Sequence, residues 1–261
     1  MSDKSNFSIN LVKISKSYSK KNVLHDIEIR FDSNQIYGLI GSNGAGKTTL
    51  LEIIVGLKSS DSGIIQFNSD QKIIGIPKDQ IGFAGQIPVL WNKLSCTEHA
   101  WLHGRFYNIP KKLLQSRIEN LFSDFEFEDY KNYKIENLSG GLKQRLNLTL
   151  SLLHSPRIII WDEPTTGLDI DSKLLLRKFL LRYSEENNAL TIISSHDLFE
   201  LEQLCSKFIF LSRGKIIANG NFSQLEAEHL SSAKPNTNVH LEDIYKKLIH
   251  SNNHETHLSN L

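Results

Sequence analysis

The chain of 261 residues has few cysteines, almost no net charge and no long apolar run. Its two cysteines, Cys96 and Cys205, lie far apart without CxxC spacing, so we expect neither a disulfide framework nor a zinc knuckle. Thirty basic residues balance 29 acidic ones to a net charge of +1, which argues against a nucleic-acid-binding surface. We therefore expect a protein of a reducing compartment, with no nucleic acid among its partners.

Targeting and membrane-spanning patterns are also missing. Residues 1–7 are polar and lack the apolar core of a signal peptide. The longest apolar stretch, residues 146–161, is interrupted by polar residues and a proline, and a bilayer span needs roughly 18 apolar residues. We expect a globular protein that is soluble by itself, so any membrane role has to come through a partner.

The first half of the chain predicts strands that lead into a glycine-rich loop. Residues 7–14 and 27–31 alternate apolar and polar side chains, as in strands with one buried face. Residues 36–40 form a predicted buried strand that runs into the loop, and residues 47–55 a helix that follows it. Further strands are predicted at 64–67 and 73–76, helices over 95–153, and a capping box at Ser95 and Glu98.

The second half alternates buried strands with helices. Strands are predicted at 158–161, 190–194 and 207–211, and helices at 172–182 and 198–205. This alternation indicates a parallel α/β sheet covered on both faces. A turn at 213–214 leads into a strand at 215–218, and the tail after Asn221 is polar with one short helix at 241–249.

The loop between the buried strand and the helix fits the phosphate-binding pattern G-x-x-x-x-G-K-[ST] in full. Its glycines let backbone N–H groups surround phosphates, and the helix N-terminus favours anions. We expect Lys47 to reach the β- and γ-phosphates of ATP, and the Thr48 hydroxyl to bind Mg²⁺. The predicted nucleotide-binding residues are Gly41, Ser42, Asn43, Gly44, Ala45, Gly46, Lys47, Thr48 and Thr49.

A pair of acids ends the strand predicted at residues 158–161. Ligand groups of parallel α/β sheets gather at the C-terminal ends of the strands. We expect Asp162 to hold Mg²⁺, directly or through water, and Glu163 to orient and polarise the attacking water. Neighbours on a strand point to opposite sides, so the two carboxylates can serve different roles. The alternative, an ordinary strand end with solvated acids, is disfavoured by the complete loop upstream.

A second anion site is predicted where Ser139, Gly140 and Gly141 precede a helical stretch. A hydroxyl and glycine amides at a helix N-terminus can bind phosphate. Hydrolysis within one subunit needs only one such site. The economical interpretation is that these residues contact the γ-phosphate of ATP held by another subunit. Two chains would then pair head to tail and bury two ATP molecules between them.

The ordered set of motifs resembles the nucleotide-binding domain of ABC-type ATPases over roughly residues 7–220. The resemblance implies that Tyr18 stacks on adenine and that Gln86 contacts Mg²⁺ and the attacking water and links the site to the helical lobe. It identifies Asp169 with the D-loop and His196 with the switch histidine that contacts the γ-phosphate. Taken singly, such residues are more often packing or surface residues, and an aromatic residue in a loop often just covers a core.

The resemblance also implies a fold. The expected class is α/β, a P-loop NTPase (RecA-like) core with an antiparallel β subdomain and an inserted α-helical subdomain at about residues 87–153. The ATPase domain would span residues 1–220, and residues 221–261 would form a polar C-terminal tail with a short helix. Leu142 replaces the usual signature glutamine and Ile170 the usual proline. Neither change removes a catalytic group, so we expect hydrolytic competence.

The partners implied by the resemblance are a second ATPase subunit, identical or different, and a polytopic membrane permease on a separate chain. The protein would then be cytoplasmic and peripheral on the inner face of a membrane, as an exporter subunit. Residues 87–91 are the candidate docking segment. Trp101 and Phe106 fit either that role or the core of the helical lobe.

Two other classes of function have to be weighed. A soluble, non-transport ABC ATPase acting as an ATP-driven clamp is the main alternative. Translation types usually carry two cassettes and repair types a long coiled coil, and this chain has one cassette and no heptad run. A simple P-loop kinase or GTPase would have no use for residues 139–141.

Overall fold

The computed structural model describes residues 5–19, 21–69, 72–230 and 239–258, and these form two β-sheets with surrounding helices. The strands are β1 (Phe7–Tyr18), β2 (Lys21–Asp32), β3 (Gln35–Ile40), β4 (Ser62–Ser69), β5 (Lys72–Ile74), β6 (Ile81–Ala84), β7 (Ile158–Asp162), β8 (Leu190–Ser195), β9 (Lys207–Ser212) and β10 (Lys215–Gly220). The helices are α1 (Lys47–Ile54), α2 (Cys96–Phe106), α3 (Lys111–Asp124), α4 (Gly140–Ser151), α5 (Ile170–Asn187), α6 (Leu198–Leu204), α7 (Phe222–His229) and α8 (Leu241–Leu258). Across this described part of the chain, no helix is both long and apolar enough to span a bilayer.

The larger sheet has the strand order β10-β9-β3-β8-β7-β6 and is parallel except for β10, which pairs antiparallel with β9. The register pairs Ile40 with Ser195 and Asp162 with Ser194, so the C-terminal ends of β3, β7 and β8 lie side by side. This arrangement brings the glycine-rich loop, the two acids and His196 to one edge of the sheet. The smaller sheet, β2-β1-β4-β5, is antiparallel. The predicted fold class is confirmed.

Two hydrophobic cores lie on opposite faces of the parallel sheet. Successive residues of one strand alternate between them. Ile158 and Ile160 pack with α1 and the antiparallel sheet, whereas Ile159 and Trp161 pack with the other helices. Because both faces are covered, the central strands read in sequence as continuous apolar runs.

The helices α2, α3 and α4 are inserted between β6 and β7. The predicted capping box begins α2 and is confirmed, since the Ser95 hydroxyl accepts from Glu98 N and the Glu98 carboxylate accepts from Ser95 N. Helices α2 and α3 contribute buried apolar residues, among them Ala100, Leu114 and Ile118, to the core that α4 shares.

The C-terminal part differs from the sequence prediction of a polar tail with one short helix. Helix α7 begins at a second capping box, formed by Asn221 and Gln224, and α8 continues past residue 249 to Leu258. Leu225 of α7 and Ile244 of α8 are fully buried in the same core as the other helices. A few apolar residues spaced along a polar stretch are therefore enough to pack both helices against the core.

Candidate functional site

The glycine-rich loop adopts a conformation that only glycine tolerates easily at two of its positions. Gly44 has φ 79° and Gly46 has φ 108°, in the left-handed region. A Cβ built on Gly46 would also lie 2.8 Å from Leu24 Cδ2 and 3.0 Å from Val23 O. The motif glycines therefore allow both the turn of the loop and its close contact with β2.

The loop is braced by distant parts of the chain. Gly214 N, in the turn between β9 and β10, donates to Ala45 O at 3.0 Å, and His25 N of β2 donates to Gly214 O at 2.8 Å. A Cβ built on Gly41 would lie 2.4 Å from Leu211 O of β9. Three chain segments thus fix the conformation of the loop.

Lys47 opens α1 and is buried, with 7% of its surface exposed. Its ammonium donates to Gly41 O at 2.8 Å and lies 3.8 Å from Glu163 Oε1. A cation is thereby held between the loop and the acidic strand end. This is the position required for a side chain that neutralises phosphate charge.

Asp162 and Glu163 both line the same cleft, which differs from the opposite-sided arrangement expected of neighbours on a strand. Strand β7 ends at Asp162, and Glu163 has φ 51°, so the alternation of side chains stops between them. The Thr48 hydroxyl donates to Asp162 Oδ2 at 2.7 Å, and the Ser194 hydroxyl donates to Asp162 Oδ1. The two carboxylates therefore line one cleft, but they differ in backbone conformation and in their hydrogen-bonding partners.

His196 follows β8 and lies beside the second acid. Its Nδ1 is 2.8 Å from Glu163 Oε2, and 70% of its side chain is exposed, whereas only 8% of the Glu163 side chain is. Gln86 follows β6, is exposed and lines the cleft. Gly85, just before it, accepts a hydrogen bond from Asn147 of α4 at 3.3 Å. The backbone just before the glutamine is therefore hydrogen-bonded to the helical insertion.

A cleft of about 770 Å³ is lined by the glycine-rich loop, the two acids and Gln86, whereas His196 is not among its lining residues. The residues that line it are Lys21, Asn22, Val23, His25, Ser42, Asn43, Gly44, Gly46, Lys47, Thr48, Thr49, Gln86, Asp162, Glu163 and Arg213. Sequence reasoning missed the five that come from β2 and from the turn after β9, because they belong to no short motif. Only their placement in the sheet reveals them.

Tyr18 lies at the end of β1 and is not among these lining residues. The residue is 39% exposed, and the ammonium groups of Lys16 and Lys58 lie 5.5 and 5.4 Å from the ring centroid. The ring therefore has cationic partners already. Adenine stacking by Tyr18 stays a prediction.

The second predicted phosphate site lies at the start of α4. Ser139 caps this helix, and its hydroxyl accepts from Leu142 N at 3.2 Å. Ser139 and Gly140 are exposed, and a Cβ on Gly141 would lie 2.8 Å from Gly167 O, so the segment packs on the loop before α5. None of these three residues is among the described residues that line the cleft.

Asp169 caps α5 beside this segment. Its carboxylate accepts from Ser172 N at 2.7 Å, and this hydrogen bond holds the pKa of Asp169 below its usual value. The side chain is exposed, so it is available to a partner molecule. Its role at an interface stays a prediction.

Comparison with known proteins gives consistent results. The family model described as ABC transporter matches residues 24–166. ABC transporter ATP-binding protein NatA of Bacillus subtilis is 32% identical over 207 residues, which cover 77% of this chain and 83% of that protein. Nod factor export ATP-binding protein I of Rhizobium johnstonii is 30% identical over 224 residues, covering 85% and 72% respectively.

A solved structure with a similar fold is the dimeric post-hydrolysis state of the ATP-binding cassette MJ0796 bound to ADP and Pi. Its TM-score is 0.74 at 23% identity, and the match covers 82% of this chain and 98% of that one. At this identity the likeness supports the fold alone.

Proposed function

Because this chain belongs to the ABC transporter family of ATP-binding proteins, whose domains are ATPases, we propose that it powers export of a substrate through a separate membrane-spanning subunit. The observation that carries the proposal is the separation of two phosphate-binding features. The cleft holds the loop, the acids and Lys47, whereas the start of α4 lies outside it. One chain therefore presents half of each of two composite sites.

We infer that two copies, or this chain and a related one, close head to tail around ATP. The exposed Ser139 hydroxyl and the first amides of α4 would contact the γ-phosphate held by the partner's cleft. Asp169 lies on the same face, because the loop before it packs on Gly141.

The residues around Asp162 fit a divalent cation of the Mg²⁺ type. The Thr48 hydroxyl and an Asp162 carboxylate oxygen converge to 2.7 Å, and the Gln86 side chain lines the same cleft. Such oxygen donors are those that Mg²⁺ takes, usually together with substrate phosphates. When bound, the ion would neutralise charge on the β- and γ-phosphates.

The protein's own groups would then divide the work of hydrolysis. Lys47 would release Gly41 O and bind the phosphate oxygens. Glu163 would accept a hydrogen bond from the attacking water and orient it, while His196 holds the Glu163 carboxylate at 2.8 Å. Loss of the γ-phosphate would remove the group that joins the two subunits. The different affinities of the closed dimer for ATP and ADP would then drive opening.

The opening would be transmitted through the segment after Gln86. Ile87, Val89 and Trp91 expose 79%, 85% and 55% of their surfaces, an apolar patch of the kind that marks an interaction site. Of the two aromatic residues of α2, Phe106 is 69% exposed and available to a partner, whereas Trp101 packs on the core. Export as the direction is supported by the similarity to Nod factor export ATP-binding protein I.

The test is a mild-detergent pull-down of tagged Glu163→Gln protein with ATP from its native cells. Recovery of a polytopic membrane protein in near-equal amount would support the proposal. Adding Val89→Asp should abolish that recovery, and Val89→Asp in the wild-type background should leave ATPase activity unchanged. Ile64→Asp, a matched control at an exposed position on β4, should leave recovery of the membrane protein unchanged. Recovery of soluble proteins alone would overturn the transport role and favour the ATP-driven clamp.

A further inference from the structure

Ser194, near the C-terminal end of β8, joins the two acids of the cleft. Its side chain is fully buried. The hydroxyl donates to Asp162 Oδ1 and accepts from Glu163 N at 2.9 Å. Glu163 N also donates to Ser194 O at 3.1 Å. One residue on a neighbouring strand thus contacts the side chain of the first acid and the backbone of the second.

The direction of these hydrogen bonds is fixed by the groups involved. A serine hydroxyl has a single hydrogen, and the Glu163 amide can only donate to it. The hydroxyl hydrogen therefore goes to the Asp162 carboxylate. Since Thr48 donates to the other oxygen of Asp162, each carboxylate oxygen has its own hydroxyl partner. The plane of the carboxylate is therefore held from both sides.

The contact to Glu163 holds a strained backbone. Glu163 has φ 51°, a conformation that costs a non-glycine residue energy and persists where its surroundings enforce it. The Ser194 hydroxyl and carbonyl are the two acceptors of its amide. This turn lets Glu163 enter the same cleft as Asp162, where its carboxylate reaches His196 and Lys47.

We propose that Ser194 is a positioning residue for ATP hydrolysis. It fixes the orientation of the Asp162 carboxylate, and it holds the backbone turn that aims Glu163 at the attacking water. It acts only through these two acids and is itself buried behind them. The inference rests on the ATPase activity of the family and is independent of the export proposal.

The test compares Ser194→Ala with Ser195→Ala. Ser195 is the next residue of the same strand and is 2% exposed, and its hydroxyl accepts from Asp197 N at 3.0 Å without contacting either acid. Each variant removes one buried oxygen. We expect Ser194→Ala to lower kcat by roughly 10- to 100-fold, since small misplacements of catalytic groups have effects of this size, and Ser195→Ala to change it about twofold at most.

A second readout separates positioning from folding or binding. The Kd for a fluorescent ATP analogue in EDTA should stay within about twofold of wild type for Ser194→Ala, because Lys47 and the loop amides are untouched. Ser194→Thr, which keeps the hydroxyl, should restore most of the kcat. Ser194→Cys fills nearly the same volume with a weak donor, so it should fold like wild type and have the low kcat of the alanine variant.

Three results would overturn the proposal. Equal kcat values for Ser194→Ala and Ser195→Ala would show that any buried oxygen of β8 has the same effect. Full kcat in Ser194→Cys would show that the hydrogen bonds are not needed. A loss of metal-free nucleotide binding as large as the loss of kcat would assign Ser194 a structural role instead.

Discussion

Gly46 and Glu163 both have left-handed backbone conformations at the cleft, with φ values of 108° and 51°. Glycine adopts this conformation at little steric cost, whereas glutamate needs neighbours that enforce it. The loop motif predicts the first case, because the pattern requires glycine there. No pattern predicts the second, because strand alternation assumes that Glu163 continues β7. The backbone conformation of Glu163 depends instead on its hydrogen bonds to Ser194, which is 31 residues away in the sequence.

Gly46→Ala should weaken nucleotide binding at least tenfold and destabilise the fold by about 1–3 kcal/mol. The new methyl group would lie 2.8 Å from Leu24 Cδ2, so the loop or β2 has to shift. Nucleotide titration and urea denaturation measure the two effects. Gly44→Ala is the control, since it also has positive φ but a Cβ there meets nothing within 4 Å. Equal losses in both variants would contradict the role of the contact with β2.

The strands and helices with strong patterns were well predicted, and the exceptions have physical reasons. Strand β6 is only four residues long and includes a glycine, Gly82, whose added Cβ would lie 2.4 Å from Ser151 O. Parallel pairing with β7, from Ile81 opposite Ile158 to Ala84 opposite Trp161, makes this short segment a strand. Helix α7 was missed because it carries a single fully buried side chain, Leu225, in a polar stretch. In both cases tertiary contacts outweigh local composition.

Partly buried histidines join α2 to the end of α4 and to β6. The rings of His154 and Tyr107 stack with centroids 3.8 Å apart, and a ring nitrogen of His154 lies 3.0 Å from Ile81 O. Burial lowers the pKa of both His103 and His154 to about 4, and each is further affected by charged neighbours. His99, Arg117 and Asp79 are the other titratable groups that influence this pair. Both imidazoles are therefore neutral in the folded protein near neutral pH.

The free energy of unfolding should fall as the pH drops from about 6.5 towards 4. In that window the unfolded chain binds protons at His103 and His154 that the folded chain excludes, so acid favours unfolding. The expected loss is on the order of 2 kcal/mol per imidazole. His103→Leu should make the dependence shallower in urea denaturation at several pH values. An unchanged slope would contradict a neutral His103 in the folded state.

In the whole molecule, two exposed features point to a second subunit. They are the start of α4 with its uncovered Ser139 and Gly140, and the Asp169 cap of α5. The fold brings them together, because Gly141 packs on the loop before Asp169. The sequence suggested this pairing through the order of its motifs, but it could not show that the segment lies outside the cleft.

Glu163→Gln should accumulate as an ATP-bound dimer in size-exclusion chromatography with light scattering. The amide can no longer polarise the attacking water, so the γ-phosphate that joins the subunits remains. Adding Gly140→Asp should return the protein to a monomer that still binds ATP. A Cβ at residue 140 meets nothing within 4 Å, so the fold should tolerate the change. A monomeric Glu163→Gln protein in saturating ATP would argue against the composite site.

The position of β3 in the sheet has a consequence for biosynthesis. The strand that precedes the phosphate loop pairs only with β8 and β9, and the loop is hydrogen-bonded to the turn at residue 214. A growing chain therefore exposes both edges of β3 until more than 150 further residues have left the ribosome. During that interval unpaired strand edges are open to aggregation. We therefore expect the nascent polypeptide to gain nucleotide binding only after β8 and β9 have been synthesised.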